Sequence, residues 1–146
     1  MIEANNVSKY FDGSQILFDV TAKFESGKTN LIIGQSGSGK TVFMKCLIGL
    51  HTPEQGEIFY DGRPFTKMSS SERKHLRTEI GMLFQGSALF DNETVLGNVM
   101  FPLKMFSSMS RKEQIERAKF CIQRVGLENA DDKYPSEISG GMQKRV

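Results

Sequence analysis

The chain reads as an α/β protein built around a phosphate-binding loop, and three observations predict it. Gly34-Gln35-Ser36-Gly37-Ser38-Gly39-Lys40-Thr41 has the spacing G-x-x-x-x-G-K-[ST] of a P-loop. A strand-like run over 28–33 precedes it and an apolar helix-like run over 42–50 follows it, which is the context the motif requires. Around that unit, strand signals crowd the start of the chain, and helix signals dominate after about residue 86.

The first segment holds three strand-like runs, 2–10, 15–24 and 29–33, separated by turns at Asp12-Gly13 and Ser26-Gly27. In the second run Phe18, Val20, Ala22 and Phe24 alternate with Asp19, Thr21 and Lys23, so the apolar set is expected on the buried face. Thr52-Pro53-Glu54-Gln55-Gly56 is a turn into a strand over 57–60, and Asp61-Gly62 closes a hairpin. Ser69 and Glu72 form a capping box for a short helix to about Arg77. Ile80-Gly81-Met82-Leu83-Phe84 is apolar without alternation, which predicts a strand buried on both faces, ending at Gln85.

Thr94 should cap a helix that uses Val95, Val99 and Leu103, with Pro102 kinking or ending it. Ser110 and Glu113 make a second capping box, Ile115, Ala118, Ile122 and Val125 share one helical stripe, and Gly126 stops the helix. Residues 128–137 are polar and loop-like, and Ser139-Gly140-Gly141 opens the last segment. The expected organisation is 1–85 as β subdomain and P-loop core, 86–138 as a helical lobe, and 139–146 as the start of a further helix.

With 146 residues the chain can bury a sizeable core. Its 19 basic and 17 acidic residues are spread evenly, without the basic stripe of a nucleic-acid binder. Cys46 and Cys121 fall in apolar helical patterns and read as buried thiols in a reducing compartment, not as a disulfide or metal pair. No apolar run is long enough for a bilayer, and Glu3, Asn5 and Asn6 interrupt any N-terminal signal pattern. The expectation is a cytoplasmic protein without direct membrane insertion. His51 and His75 stand in no ligand pattern and read as surface or packing residues.

The loop residues have chemical reasons to be what they are. Gly37 and Gly39 let the backbone turn its N–H groups inward around a polyphosphate. The amides and positive dipole end of the following helix add to the anion site. Lys40 reaches the β- and γ-phosphates, and the Thr41 hydroxyl ligates Mg²⁺. A nucleoside triphosphate is the expected ligand.

Four motifs in order make residues 2–146 resemble the nucleotide-binding ATPase subunit of ABC transporters. They are Tyr10 in Val7-Ser8-Lys9-Tyr10-Phe11, the P-loop, Gln85 after its apolar run, and Ile138-Ser139-Gly140-Gly141-Met142 in place of LSGGQ. The resemblance implies a P-loop ATPase core with an antiparallel β subdomain and a helical subdomain, binding ATP with Mg²⁺. It implies that Tyr10 stacks on adenine, with Phe11 as its rival, and that Gln85 contacts Mg²⁺ or the attacking water. Lys40 and Gln85 then carry catalysis, with Thr41 and Gln85 at the metal. Ser139, Gly140 and Gly141 would hold the γ-phosphate of a second ATPase subunit, in trans. The segment 86–106, with Phe90, Met100 and Phe101 exposed, would meet a membrane permease subunit or else form the core of the helical lobe.

Two departures from the family pattern stand out. Val42 replaces a second hydroxyl, and Met142 replaces the signature glutamine. Together with Gly-Met-Leu-Phe-Gln-Gly-Ser-Ala-Leu-Phe-Asp over 81–91 and Thr94-Val95-Leu96-Gly97-Asn98-Val99, Ser-Gly-Gly-Met resembles the ATPase of Mla-type, Mce-associated lipid transporters. That implies phospholipid or a related lipid as cargo. The family continues with an apolar strand ending in Asp-Glu, the Walker B element, and a switch histidine, and no segment here matches them. The expectation is a fragment lacking the Walker B half, with little turnover and poor stability. A non-catalytic nucleotide-binding module and a soluble ABC-class protein acting on nucleic acid or ribosomes are the other readings.

Overall fold

The computed structural model describes all 146 residues. The chain divides into two compact units, Met1–Gly81 and Met82–Val146.

In the first unit β1 (Ile2–Phe11) and β2 (Ser14–Phe24) form a hairpin. Its turn uses Asp12 and Gly13 at positive φ, 48° and 79°, which suits the twist of the flanking strands. β3 (Gln55–Tyr60) pairs antiparallel with the other edge of β1, and the two-residue β4 (Arg63–Pro64) folds back across Asp61-Gly62, giving the order β2-β1-β3-β4. Against this sheet packs α1 (Lys40–Leu47), which buries Phe43, Cys46 and Leu47 with Ala4, Val7, Leu17, Ile58 and Tyr60. Burial pushes the Tyr60 phenol up to about 12, so it stays protonated and donates to the Leu47 carbonyl, tying the sheet to the end of α1. α2 (Ser70–Glu79) starts on the Ser69–Glu72 capping box and adds Leu76 to the same core.

Three expectations are corrected here. Phe18 is 66% exposed and Leu17 takes the inward position, because the register slips three times between β1 and β2. Asn6 and Asp19 adopt positive φ at these irregularities, and the Asn6 amide donates to the Asp19 carboxylate. A bulge re-aims every side chain beyond it, which simple alternation cannot show. Residues 29–33 carry no sheet pairing, and Leu31 and Ile33 are each 81% exposed. Residues 80–84 likewise form no strand, leaving Leu83 and Phe84 exposed. Non-alternating runs become strands only when neighbours pair with them and cover both faces, and neither run pairs with β1 to β4.

The second unit consists of α3 (Val95–Phe106), α4 (Arg111–Arg124) and the short α5 (Gly140–Gln143). Thr94 and Ser110 cap α3 and α4 as expected, and Gly126 takes φ 65° after α4. Val95, Ile122, Leu127, Ala130 and Ile138 form the core. Pro102 does not end α3; the helix runs one more turn, closed by the Ser107 amide and hydroxyl on the Leu103 carbonyl. Val125, placed on the stripe of α4 by spacing, is exposed because it is already the C-cap. The polar stretch after Gly126 lies against the start of α3, where Val95 N donates to Lys133 O and Leu96 N to Asp131 O.

Candidate functional site

The loop 34–41 sits where α1 begins. Gly37 and Gly39 have φ of 80° and 87°, a left-handed region that an L side chain seldom occupies. A Cβ on Gly39 would fall 2.9 Å from Leu17 Cδ2 and 3.1 Å from the Ile16 carbonyl oxygen, so this glycine lets the loop lie against β2. Around Gly37 the space is open. The Ser38 amide donates to Gln35 O at 3.2 Å, and the Phe43 amide to Gly39 O at 2.8 Å, starting the helical ladder.

The Lys40 ammonium turns back on the loop and donates to Gly34 O at 2.8 Å and Gln35 O at 2.6 Å. It thus lies at the mouth of the loop with two carbonyl oxygens standing where anionic oxygens fit. Thr41 is exposed on the first turn of α1, and Gly34, Gln35 and Ser36 are exposed on the rim. These groups suit a polyphosphate: a cation, backbone amides and a glycine turn without Cβ obstruction. No cluster of His, Cys, Asp or Glu could hold a metal by itself. One hydroxyl with phosphate oxygens and waters is nevertheless the usual company of Mg²⁺, and Thr41 can supply that hydroxyl.

At the end of β1, Tyr10 is half-buried and Phe11 is exposed. Phe11 is engaged on two sides: His51 meets it edge-on at 5.3 Å between centroids, and the Lys9 ammonium lies 5.1 Å from its ring centre. No other ring packs on Tyr10, while its backbone amide donates to Glu54 Oε2 at 2.8 Å. His75 lies 3.3 Å from Glu79 on the exposed face of α2, and Cys46 is a buried thiol whose pKa burial raises.

Gln85 belongs to the second unit, exposed in an irregular segment and not at a strand end. Beyond it Phe90 and Phe101 pack on each other at 4.6 Å and remain about half exposed, at 46% and 40%. Met100 is buried at 4%, against the expectation that it faces outward, because it falls on the inner stripe of α3. The 90–94 turn is organised by Asn98, a residue of the segment 94–99 to which sequence reasoning gave no structural role. Its side-chain oxygen accepts from Phe90 N at 2.8 Å, and its amide donates to the carbonyls of Phe90, Glu93 and Thr94. The available signal was a single amide four residues after a capping threonine on an apolar helix. Replacing Asn98 by leucine strands these groups in a buried site, and about 1–3 kcal/mol of stability should be lost. Chemical denaturation of the variant checks this.

Ser139 caps α5 by accepting from Met142 N at 3.3 Å, and Gly140 and Gly141 are exposed with open space about Gly140. Gln143 donates to Pro135 O at 2.7 Å, and Arg145 Nη1 donates to the carbonyls of Val125 and Gly126 at the end of α4. The first fixes the turn that carries Ser139, the second ties the chain after α5 to the end of α4, and neither was singled out from sequence. Met142 is half-buried against the Val95–Ile122 core, which accounts for an apolar residue in place of the signature glutamine. Asp131 lies 3.7 Å from the Lys119 ammonium, within the turn that packs on α3.

Comparison with known proteins adds to this geometry. The ABC transporter family model matches residues 17–146. The chain is 40% identical over 145 residues to a probable ribonucleotide transport ATP-binding protein of Mycobacterium leprae, covering 99% of this chain and 42% of that protein. It is 39% identical over 150 residues to a methionine import ATP-binding protein of Bacillus thuringiensis, covering all of this chain and 44% of the relative. It therefore spans well under half the length of these relatives. A solved dimeric post-hydrolysis ATP-binding cassette, MJ0796 with ADP and Pi bound, superposes with a TM-score of 0.86 at 31% identity, over 99% of this chain and 66% of that one.

Proposed function

The chain belongs to the ABC transporter family, and on that premise we propose that it is the nucleotide-binding portion of a transporter ATPase, taking Mg-ATP on the loop 34–41. The observation that carries this reading is the Lys40 ammonium held at the loop mouth by Gly34 O and Gln35 O, beside two left-handed glycines. In this reading Gly34, Gln35, Ser36, Gly37, Ser38 and Gly39 wrap the phosphates, Lys40 neutralises the β- and γ-oxygens and Thr41 ligates Mg²⁺. Tyr10 stacks on the base, and the commitment of Phe11 to His51 and Lys9 supports Tyr10 over its rival. Gln85 reads the γ-phosphate and metal, and Ser139, Gly140 and Gly141 serve the nucleotide of a second copy.

The parent protein would couple ATP binding and hydrolysis to transport from the cytoplasmic face, through a permease that the Phe90–Phe101 pair helps to contact. No helix is long and apolar enough to cross a membrane. Low turnover by this chain is part of the proposal. Its one pair of adjacent carboxylates, Asp131-Asp132, sits in a turn where Asp131 pairs with Lys119, and no apolar strand leads to it. For the cargo we retain phospholipid or a related lipid, supported by the segments 81–91 and 94–99 and by Ser-Gly-Gly-Met. The relatives' names, ribonucleotide and methionine transport, set the competing classes.

Titrating the purified chain with Mg-ATP in a calorimeter tests the nucleotide reading. Saturable binding near one equivalent is expected, and the absence of heat at any concentration overturns it.

A further inference from the structure

We infer that Glu54 is a positioning residue for base recognition, its carboxylate holding the Tyr10 backbone so that the ring presents a fixed platform to the purine. This deepens the nucleotide reading and rests on it. Two short stretches meet at the point in question: the end of β1 and the turn that follows α1. The β1–β3 ladder stops at the Ser8–Gln55 pair, so the Tyr10 amide lies beyond the last strand partner on that edge. Glu54 takes over there. Its amide donates to Ser8 O at 3.0 Å, its Oε2 accepts from Tyr10 N at 2.8 Å, and its Oε1 accepts from the Lys9 ammonium at 2.5 Å.

Lys9 is 9% exposed and gives a second bond to Thr52 O at 2.9 Å. A buried ammonium must be paired, so Lys9 in turn fixes the carboxylate. That hydrogen bond holds the Glu54 carboxyl below its ordinary range, keeping it an acceptor-only anion facing two donors. The turn is itself anchored to α1, since Leu50 N and His51 N both donate to Lys45 O. The helix that begins at Lys40 therefore sets the position of Tyr10 through one carboxylate. Base platform and phosphate loop share a single frame, which matters because a misplaced stacking surface loses most of its contact.

A ligand with a base and one without it separate this role from a merely structural ion pair. Mg-ATP and Mg-tripolyphosphate are titrated into the full chain and into Glu54→Ala, Glu54→Gln, Tyr10→Ala and the double variant Glu54→Ala/Tyr10→Ala. Glu54→Ala should weaken Mg-ATP about tenfold, within the range of one base–aromatic stack, and leave Mg-tripolyphosphate within about twofold. Glu54→Gln, whose one amide oxygen serves Tyr10 N only by turning its NH2 group toward the Lys9 ammonium, should recover part of that loss. The double variant should lose no more than Tyr10→Ala alone, because the two residues act through one contact.

Equal weakening of both ligands by Glu54→Ala overturns the inference in favour of a structural ion pair. A full additive loss in the double variant overturns it as well. If Tyr10→Ala leaves the ratio of the two affinities unchanged, the base-stacking assignment fails first and the Glu54 role with it. If Tyr10→Ala lowers that ratio and Glu54→Ala does not, only the Glu54 role fails. Should Glu54→Ala not fold, Glu54→Asp, which draws the carboxylate back by one methylene, is expected to show the same selective loss in weaker form.

Discussion

Lys40→Ala should weaken Mg-ATP binding by about 100-fold, the value of one or two charge-assisted hydrogen bonds at 1.5–3 kcal/mol each. The expectation follows from where the ammonium lies. Its present partners, Gly34 O and Gln35 O, are oxygens of the loop itself, so arriving phosphate replaces one set of acceptors by a more negative one. Alanine leaves nothing at that position to neutralise charge. The fold should be spared, because both carbonyls sit on exposed residues and can turn to water. An unchanged circular dichroism spectrum and thermal transition beside a lost calorimetric signal is the expected pair of results. Undiminished affinity in Lys40→Ala would place the nucleotide somewhere other than this loop.

Gly56→Ala should be the most damaging small substitution in the first unit, costing about 2–5 kcal/mol from left-handed backbone strain and overpacking together. Gly56 has φ 82°, and a Cβ there would lie well inside contact distance of the carbonyl oxygens of Asn5 and Asn6. Those oxygens belong to the irregular stretch of β1 across from it, where the ladder shifts between Asn5 and Ser8. Backbone on the central strand has little room to retreat. Gly37→Ala makes a useful contrast, since it carries similar φ strain but meets no neighbour within 4 Å. Urea denaturation of both variants checks the difference, and equal stability for the two would show that the β1 irregularity is soft.

Much of this architecture was legible because its signals are local. Capping boxes at Ser69–Glu72 and Ser110–Glu113, the αL Gly126 after α4 and the Asp-Gly hairpin turns each depend on residues within a few positions of one another, whereas the αL Gly49, expected inside a helix over 42–50, follows an α1 that ends at Leu47. The phosphate loop was legible for the same reason, since its glycines, lysine and threonine are contiguous. What escaped prediction depends on partners distant in sequence. Residues 29–33 and 80–84 have strand-like composition, yet pairing needs neighbours that β1 to β4 do not supply. Phe18 was misplaced by a bulge whose cause is Asn6, thirteen residues from its partner Asp19. Glu54 looked like an ordinary turn carboxylate, because its hydrogen-bond partners Lys9 and Tyr10 lie more than forty positions upstream.

The uncovered segment before the loop also bears on how the purified chain behaves in solution. Leu31 and Ile33 stand in open solvent, and residues 29–33 join no sheet. Apolar side chains next to backbone that no strand partners offer a second molecule both contact and pairing, so association that rises with concentration is expected of this chain.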